Sequence, residues 1–156
     1  TFHIPVISLV DEPGFLIGPD AEKEATILHG TEAVLTVTES QVPWSTVMIR
    51  KSFGVAAAAH YGPDGYVMAW PSAESGPLPL EGGVAVAFKK EIADAPDPEA
   101  KRKEIEQRLA KNQDPFPRAE NFSVHEIIDP RETREYLSNW IERVQPQLNA
   151  KLISKR

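Results

Sequence analysis

The sequence predicts an α/β domain built on a parallel sheet flanked by helices. Three observations carry that expectation. The runs Val6-Ile7-Ser8-Leu9-Val10, Thr46-Val47-Met48-Ile49 and Tyr66-Val67-Met68-Ala69-Trp70 are apolar without clean polar alternation, as strands buried on both faces are. Helix-forming stretches separate them, so the strands join by right-handed crossovers rather than hairpins. At 156 residues, 41% hydrophobic and 26% charged, the chain is long enough for one well-cored domain and too short for two.

The elements follow in order. The first strand, Val6 to Val10, ends in the turn-rich Asp11-Glu12-Pro13-Gly14-Phe15. Pro19-Asp20 then opens a helix, with Asp20 as N-cap and Glu22 and Glu24 in its first turn, running to about Glu39. Its apolar residues (Ala25, Ile27, Leu28, Ala33, Val34, Leu35, Val37) point in many directions, which predicts a largely buried helix. Val42-Pro43 closes the connection and a second strand starts near Ser45. A run of small helix formers, Val55 to Ala59, follows the turn Ser52-Phe53-Gly54. Gly62-Pro63-Asp64-Gly65 introduces the third strand. Residues 71–83 read as a loop and Gly83 to Ile92 as a short helix. Asp97-Pro98 is an N-cap and first-turn pair for a mostly solvated helix to about Asn112, which Asp114-Pro115-Phe116-Pro117 breaks. A short extended stretch spans Val124 to Ile128. Asp129-Pro130-Arg131-Glu132 has capping-box spacing and starts a last long helix presenting Tyr136, Leu137, Trp140, Ile141 and Val144, with fraying expected from Lys151 to Arg156.

Composition excludes several function classes. The net charge of −6 argues against general affinity for nucleic acid or anionic membrane. No apolar run approaches the roughly 20 residues that span a bilayer. Zero cysteines remove disulfide and thiolate chemistry and fit a cytoplasmic setting, and Thr1 to Pro5 shows no signal-peptide pattern. A chain that opens on Thr1, so close to a strand, reads as a piece of a longer polypeptide. The four histidines (His3, His29, His60, His125) are scattered without ligand spacing, so no metal site is expected. Glycine-rich nucleotide loops and the Gly-x-Ser-x-Gly nucleophile elbow are absent. Asp11-Glu12 sits at the carboxyl end of a parallel strand, where ligand sites gather, but the favoured reading is the plainer one, a turn acid capping backbone N–H groups.

Two strand ends hold the positive signal, Pro13-Gly14-Phe15 and Phe53-Gly54-Val55-Ala56. A strand, a glycine turn and a helix start with almost no side chain present bare N–H groups where negative charge is stabilised. Val55 and Ala56 are the candidate donors of such an oxyanion hole. A plainer reading stands beside it: glycine permits tight turns and alanine permits close helix packing. Arg50-Lys51 reads either as ion pairing or as a lid on the site. Trp70 and Trp140 read as core or interface residues, and His60 as a helix-end residue.

The motif Ile4-Pro5-x-x-x-x-Val10-Asp11-x-Pro13-Gly14-Phe15 resembles a signature of the carboxyltransferase (beta) subunits of biotin-dependent acyl-CoA carboxylases. The resemblance continues through His29-Gly30, Val42-Pro43 and Arg50-Lys51-Ser52-Phe53-Gly54. It extends through Ala69-Trp70-Pro71-Ser72, Leu80-Glu81-Gly82-Gly83 and Ile127 to Arg134. It implies a crotonase-like fold, a spiral of ββα units, and identifies residues 1–156 with part of the C-terminal, biotin-side half of a longer subunit. In that family an N-terminal half holds acyl-CoA, biotin arrives on a carrier or biotin carboxylase partner, and the full subunit assembles as a hexamer.

The resemblance implies transfer of the carboxyl group from carboxybiotin to the α carbon of an acyl-CoA. It assigns the backbone N–H groups of Val55 and Ala56 to the biotin oxyanion, Gly14, Phe15, Phe53 and Gly54 to biotin binding, and Ala58 to the substrate pocket. Three departures stand out. Val55 replaces a glycine common among relatives, Ala58 replaces a polar or larger residue, and Gly76-Pro77-Leu78-Pro79-Leu80 replaces a Gly-x-Met-Gly pattern. A decarboxylase subunit running the same chemistry backwards, and an assembly module inactive in isolation, remain alternatives.

Overall fold

Five parallel strands form one sheet in the computed structural model, which describes residues 3–80 and 82–154. Phe2, Glu81 of the Leu80–Gly83 signature, and the last two residues of the end expected to fray lie outside the described residues. The strands are β1 (Val6–Glu12), β2 (Trp44–Phe53), β3 (Tyr66–Ala69), β4 (Glu74–Gly76) and β5 (Glu126–Ile127). Their order is β1-β2-β3-β5, with β4 also on β2. The central β2 pairs its first half with β3 (Ser45 opposite Tyr66, Met48 opposite Ala69). Its last residues pair with β4 (Lys51 opposite Glu74, Phe53 opposite Gly76).

Strand periodicity explains the core. Val47 and Met68 lie on one face with Ile128, where Tyr66, Trp70, Tyr136 and Leu137 cover them. Met48, Val67 and Ala69 lie on the other with Ala73 and Val124, covered by Tyr61, Ala119 and Ile127. Both faces of β2 and β3 are therefore sealed, as their unbroken apolar runs predict. β1 departs from that expectation. It lies at the sheet edge, Val10 is buried and Leu9 is exposed, so only one of its faces is covered.

The helices are α1 (Pro19–Lys23), α2 (Thr26–Thr38), α3 (Gly54–Ala58), α4 (Gly83–Ala87), α5 (Lys89–Ala93), α6 (Pro98–Ala110), α7 (Pro115–Glu120) and α8 (Thr133–Ser154). The helix expected from Asp20 to Glu39 is two helices, because Ala25 takes a left-handed conformation (φ 55°). Its N-cap is Gly18, which leaves Asp20 in the first turn. Nor is it largely buried. Gly30 is its buried residue, under the Phe15 ring, while Ile27, Leu28 and Leu35 are exposed, because α1, α3 and Phe15 cover only part of the helix. The expected helix from Gly83 to Ile92 is likewise split, at Phe88.

Caps fall where acidic residues precede proline. Asp97 accepts the N–H groups of Glu99 and Ala100 at the start of α6. Asp114 does the same for Phe116, so the Asp114-Pro115 pair that ends α6 also begins α7, which the sequence reading missed. The expected loop 71–83 contains β4. A 3₁₀ turn over Pro130–Glu132, capped by Asp129 on the Arg131 N–H, leads into α8. Trp140 and Leu148 of α8 are buried, and Trp70 donates its indole N–H to Thr133 Oγ1 at 2.9 Å. α8 continues through Ser154, into the stretch expected to fray.

Candidate functional site

The site is built where β2 becomes α3. Phe53 is the N-cap residue, still extended (φ −122°, ψ 143°), and its ring is buried. Gly54 then turns the chain through φ +64°, a region that side chains other than glycine rarely adopt. Val55 and Ala56 follow in the first turn, where the helix itself offers their N–H groups no acceptor. Val55 is 65% exposed, whereas Ala56 and Ala57 are buried against the domain. Val55 thus stands at the open surface, and Ala56 belongs to the buried floor beside it. A helix this short has a small macrodipole, so individual N–H groups carry whatever anion affinity is present.

The loop after β4 covers the turn. A Cβ built on Gly54 would stand 3.4 Å from the Pro77 carbonyl oxygen. A Cβ on Gly76 would stand 3.5 Å from the Phe53 ring and 3.6 Å from Gln113 Cγ, so these groups pack closely around β4. Lys51, Phe53, Glu74, Pro79, Leu80 and Gln113 line a cavity of about 180 Å³ beside the turn. Gln113 is buried at the end of α6. Nothing in the sequence marks it beyond its place before Asp114-Pro115.

The β1 end is a neighbour, since β1 pairs with β2 up to Glu12 opposite Ser52. Glu12 Oε1 accepts the Gly14 N–H at 2.9 Å, which makes Glu12 the turn acid of the plainer reading. Gly14 has φ +128° and a Cβ there would meet nothing within 4 Å, so its backbone is open. Phe15 turns the other way: a Cβ on Gly30 would come within 2.1 Å of its ring, which therefore lies flat on α2. Asp11 pairs with Arg50 (Oδ2 to Nη2 2.8 Å, Oδ1 to Nε 3.0 Å) and accepts the Lys51 N–H at 3.3 Å. The Arg50 hydrogen bond lowers the Asp11 pKa below its ordinary value. Arg50 is thus an ion-pairing residue that ties β1 to β2.

Phe53, Gly54, Val55 and Ala56 stand together, with Gly14 at the adjoining strand end. Ala58 is exposed with Gly54 and Val55 on the outer side of α3. His60 anchors the exit of that helix. Its carbonyl accepts both the Trp44 indole N–H (2.8 Å) and the Thr46 hydroxyl (2.7 Å), while its ring Nδ1 lies 3.1 Å from Ser8 Oγ. Among the described residues no group of three or more His, Asp or Glu side chains could hold a metal ion, and no helix is long and apolar enough to cross a membrane.

The family described as carboxyl transferase domain matches residues 1–155. The propionyl-CoA carboxylase carboxyltransferase subunit of Haloferax mediterranei is 37% identical over 88% of this chain and 27% of that protein. The methylmalonyl-CoA decarboxylase subunit alpha of Propionigenium modestum is 34% identical over 96% of this chain and 30% of its own length. A crystal structure of transcarboxylase 12S, described as a hexamer with methylmalonyl-coenzyme A and methylmalonic acid bound, superposes with a TM-score of 0.76 at 38% identity. The match covers 91% of this chain and 28% of that one. The chain spans just over a quarter of the length of the curated relatives it matches.

Proposed function

Because the chain belongs to the carboxyl transferase domain family and has its crotonase-like α/β fold, we propose that it is the biotin-side part of a carboxyltransferase. In this reading it moves a carboxyl group between carboxybiotin and the α carbon of an acyl-CoA. The observation that carries it is the turn at Gly54, which puts Val55 and Ala56 in the first turn of α3, where the helix gives their N–H groups no acceptor.

The residues present fit biotin. A flat, uncharged ring needs open backbone more than side-chain charge, and neither a Cβ at Gly14 nor one at Gly54 would meet an atom nearer than 3.4 Å. Biotin, when bound, supplies the carboxyl group and develops negative charge on its ureido oxygen. Val55 and Ala56 donate to that oxygen, and because both N–H groups are fixed by α3 they need no reorganisation as the charge grows. Gly54 keeps the approach free of a side chain. Phe53 holds the turn to the core, and Gly14 forms the opposite rim, with the ring of Phe15 beside it laid on α2. Ala58 leaves room beside the donors for the acyl chain.

The acyl-CoA and its own oxyanion hole belong to an N-terminal half outside this chain. A biotin carboxyl carrier or biotin carboxylase subunit delivers the carboxyl group, and the complete subunit is a homo-oligomer, a hexamer, in the cytoplasm. A second reading has one specific support, the likeness to a methylmalonyl-CoA decarboxylase subunit across nearly the whole chain. It uses the same donors with the transfer run from acyl-CoA to biotin, and the partner subunits set the direction.

The test is a carboxyl-transfer assay on this chain alone and on the complete carboxyltransferase, with free biotin as acceptor and malonyl-CoA as donor. Transfer by the complete enzyme and none by the chain alone is expected. Turnover by the isolated chain would overturn the claim that the site needs another half, and a complete enzyme without transfer activity would overturn the function.

A further inference from the structure

Gln113 lies 59 positions from Gly54 in sequence, yet it closes the covering loop over the turn at that glycine. Its backbone carbonyl accepts the Ser75 N–H at 2.9 Å, which continues the edge of β4. Its side-chain Nε2 donates to the Leu78 carbonyl at 3.1 Å. Its own N–H is held by the Ala110 carbonyl at 3.1 Å, at the end of α6. One residue, 6% exposed, thus ties the strand, the loop that follows it and the helix behind them. The loop segment it holds carries Pro77, whose carbonyl oxygen stands 3.4 Å from where a Gly54 Cβ would be. A carbonyl there lies at the entrance to the Val55 and Ala56 donors, and a small shift toward them would set one negative oxygen against another.

We propose that Gln113 is a positioning residue for the carboxyl-transfer site: its amide holds the Leu78 carbonyl so that the Pro77 carbonyl stays clear of the Val55 and Ala56 N–H groups. The proposal rests on the reading of those two groups as the biotin-side oxyanion hole. Its chemistry is specific to a donor. The Leu78 carbonyl can only accept, so a side chain of the same length without an N–H or O–H leaves that carbonyl unpaired at a part-buried position. The loop then settles elsewhere, and a displacement of the order of 1 Å at a reacting centre costs on the order of 10²-fold in rate.

The test compares Gln113→Met and Gln113→Glu with the unaltered complete carboxyltransferase, across a pH series. Gln113→Met, which keeps the length and loses the donor, is expected to lower kcat by about 10- to 100-fold with KM for the acyl-CoA unchanged. Its activity relative to the parent should be flat with pH. Gln113→Glu should match it at alkaline pH, where the carboxylate cannot donate. It should then recover toward the parent as pH falls, because the protonated carboxyl donates to Leu78 through its O–H. A pH-dependent recovery in one variant and not the other is a signature that general loosening does not produce. Should Gln113→Met fail to fold, the pH-dependent ratio of Gln113→Glu decides alone. Parent-like kcat in folded Gln113→Met, or a Gln113→Glu ratio that stays flat with pH, overturns the proposal. Val55→Pro run in parallel separates this from the parent reading. If Val55→Pro loses transfer and Gln113→Met does not, only the positioning role fails. If Val55→Pro keeps transfer, the donor assignment fails and the positioning role falls with it.

Discussion

Replacing Val55 by proline removes one of the two donors proposed for the site and nothing else that matters. Val55 is the second residue of α3, so its N–H makes no intrahelical hydrogen bond that could be lost. Proline is tolerated in a first turn for that reason. The residue before a proline is steered away from the right-handed helical region, and here that residue is Gly54, already at φ +64°. The Val55 side chain is mostly exposed, so little apolar burial is lost with it. Stability should therefore change by about 0.5 kcal/mol or less, the spread of surface substitutions that touch no special feature. Catalysis should change far more. Removing one oxyanion-hole donor costs about 2.7–4 kcal/mol, a fall of about 10²–10³ in kcat. Val55→Ala keeps the N–H and should retain transfer. Ala56→Pro should also abolish transfer, but Ala56 is buried and a proline ring there would also disturb packing, so its loss is harder to assign. The assay is malonyl-CoA-to-biotin transfer by the complete enzyme, with thermal denaturation as the folding control. A folded Val55→Pro enzyme with the rate of Val55→Ala would show that the Val55 N–H donates nothing to the transfer step.

Three further outcomes are expected. All three tyrosines have raised pKa values: Tyr61 and Tyr66 chiefly through burial, with Tyr66 also donating its hydroxyl to Glu126, and Tyr136 chiefly through the Glu126 charge. A raised phenol pKa contributes stability that is whole below the ordinary value of 10.0 and is lost as pH climbs through the folded-state value. Phenolate absorbance should accordingly appear above pH 10 and accompany unfolding, and a phenolate step near 10 in the folded chain would count against these contacts. Asp129, bound by Arg131, is pulled down to about 2, so its contribution is present above the ordinary 3.8 and is lost as pH falls through about 2. Carboxyl carbon shifts followed by NMR should place its midpoint there rather than near 3.8, and added salt should weaken the effect because the pair is solvent-facing. Thr46→Val and Trp44→Phe each leave the His60 carbonyl one donor and should each cost about 0.5–1.5 kcal/mol in denaturant melts. The double variant, which strips both, should lose more than the sum, and strict additivity would mean that the two bonds are not shared at one acceptor.

The strands were legible because burial on two faces leaves an unbroken apolar run, and β2 and β3 have that pattern. β4 was not. Glu74-Ser75-Gly76 has no apolar periodicity, and it pairs only because β2, ten residues long, extends past β3. The helix α2 shows what periodicity measures: apolar residues on many sides say that a surface favours cover, not that the same chain covers it. α7 was hidden by reading Pro115 as a stop, although an aspartate before a proline starts helices as readily. At the site, the glycine turn and the bare helix start were visible, since both are local. The plain reading of Asp11 and Glu12 was also the correct one, with Glu12 capping Gly14 and Asp11 paired to Arg50. Gln113 was invisible because its hydrogen bond to Leu78 spans 35 positions and depends on where α6 ends against the sheet.

The proposed function turns on two backbone N–H groups, those of Val55 and Ala56, that would hold the biotin oxygen. The most direct test is a crystal structure of the complete carboxyltransferase with biotin bound. The ureido oxygen is expected at hydrogen-bond distance, about 2.7–3.2 Å, from both the Val55 and Ala56 nitrogens, with Gly54 still at positive φ. A biotin whose ureido oxygen is held instead by a side chain, with the Val55 and Ala56 N–H groups turned to solvent, would contradict it.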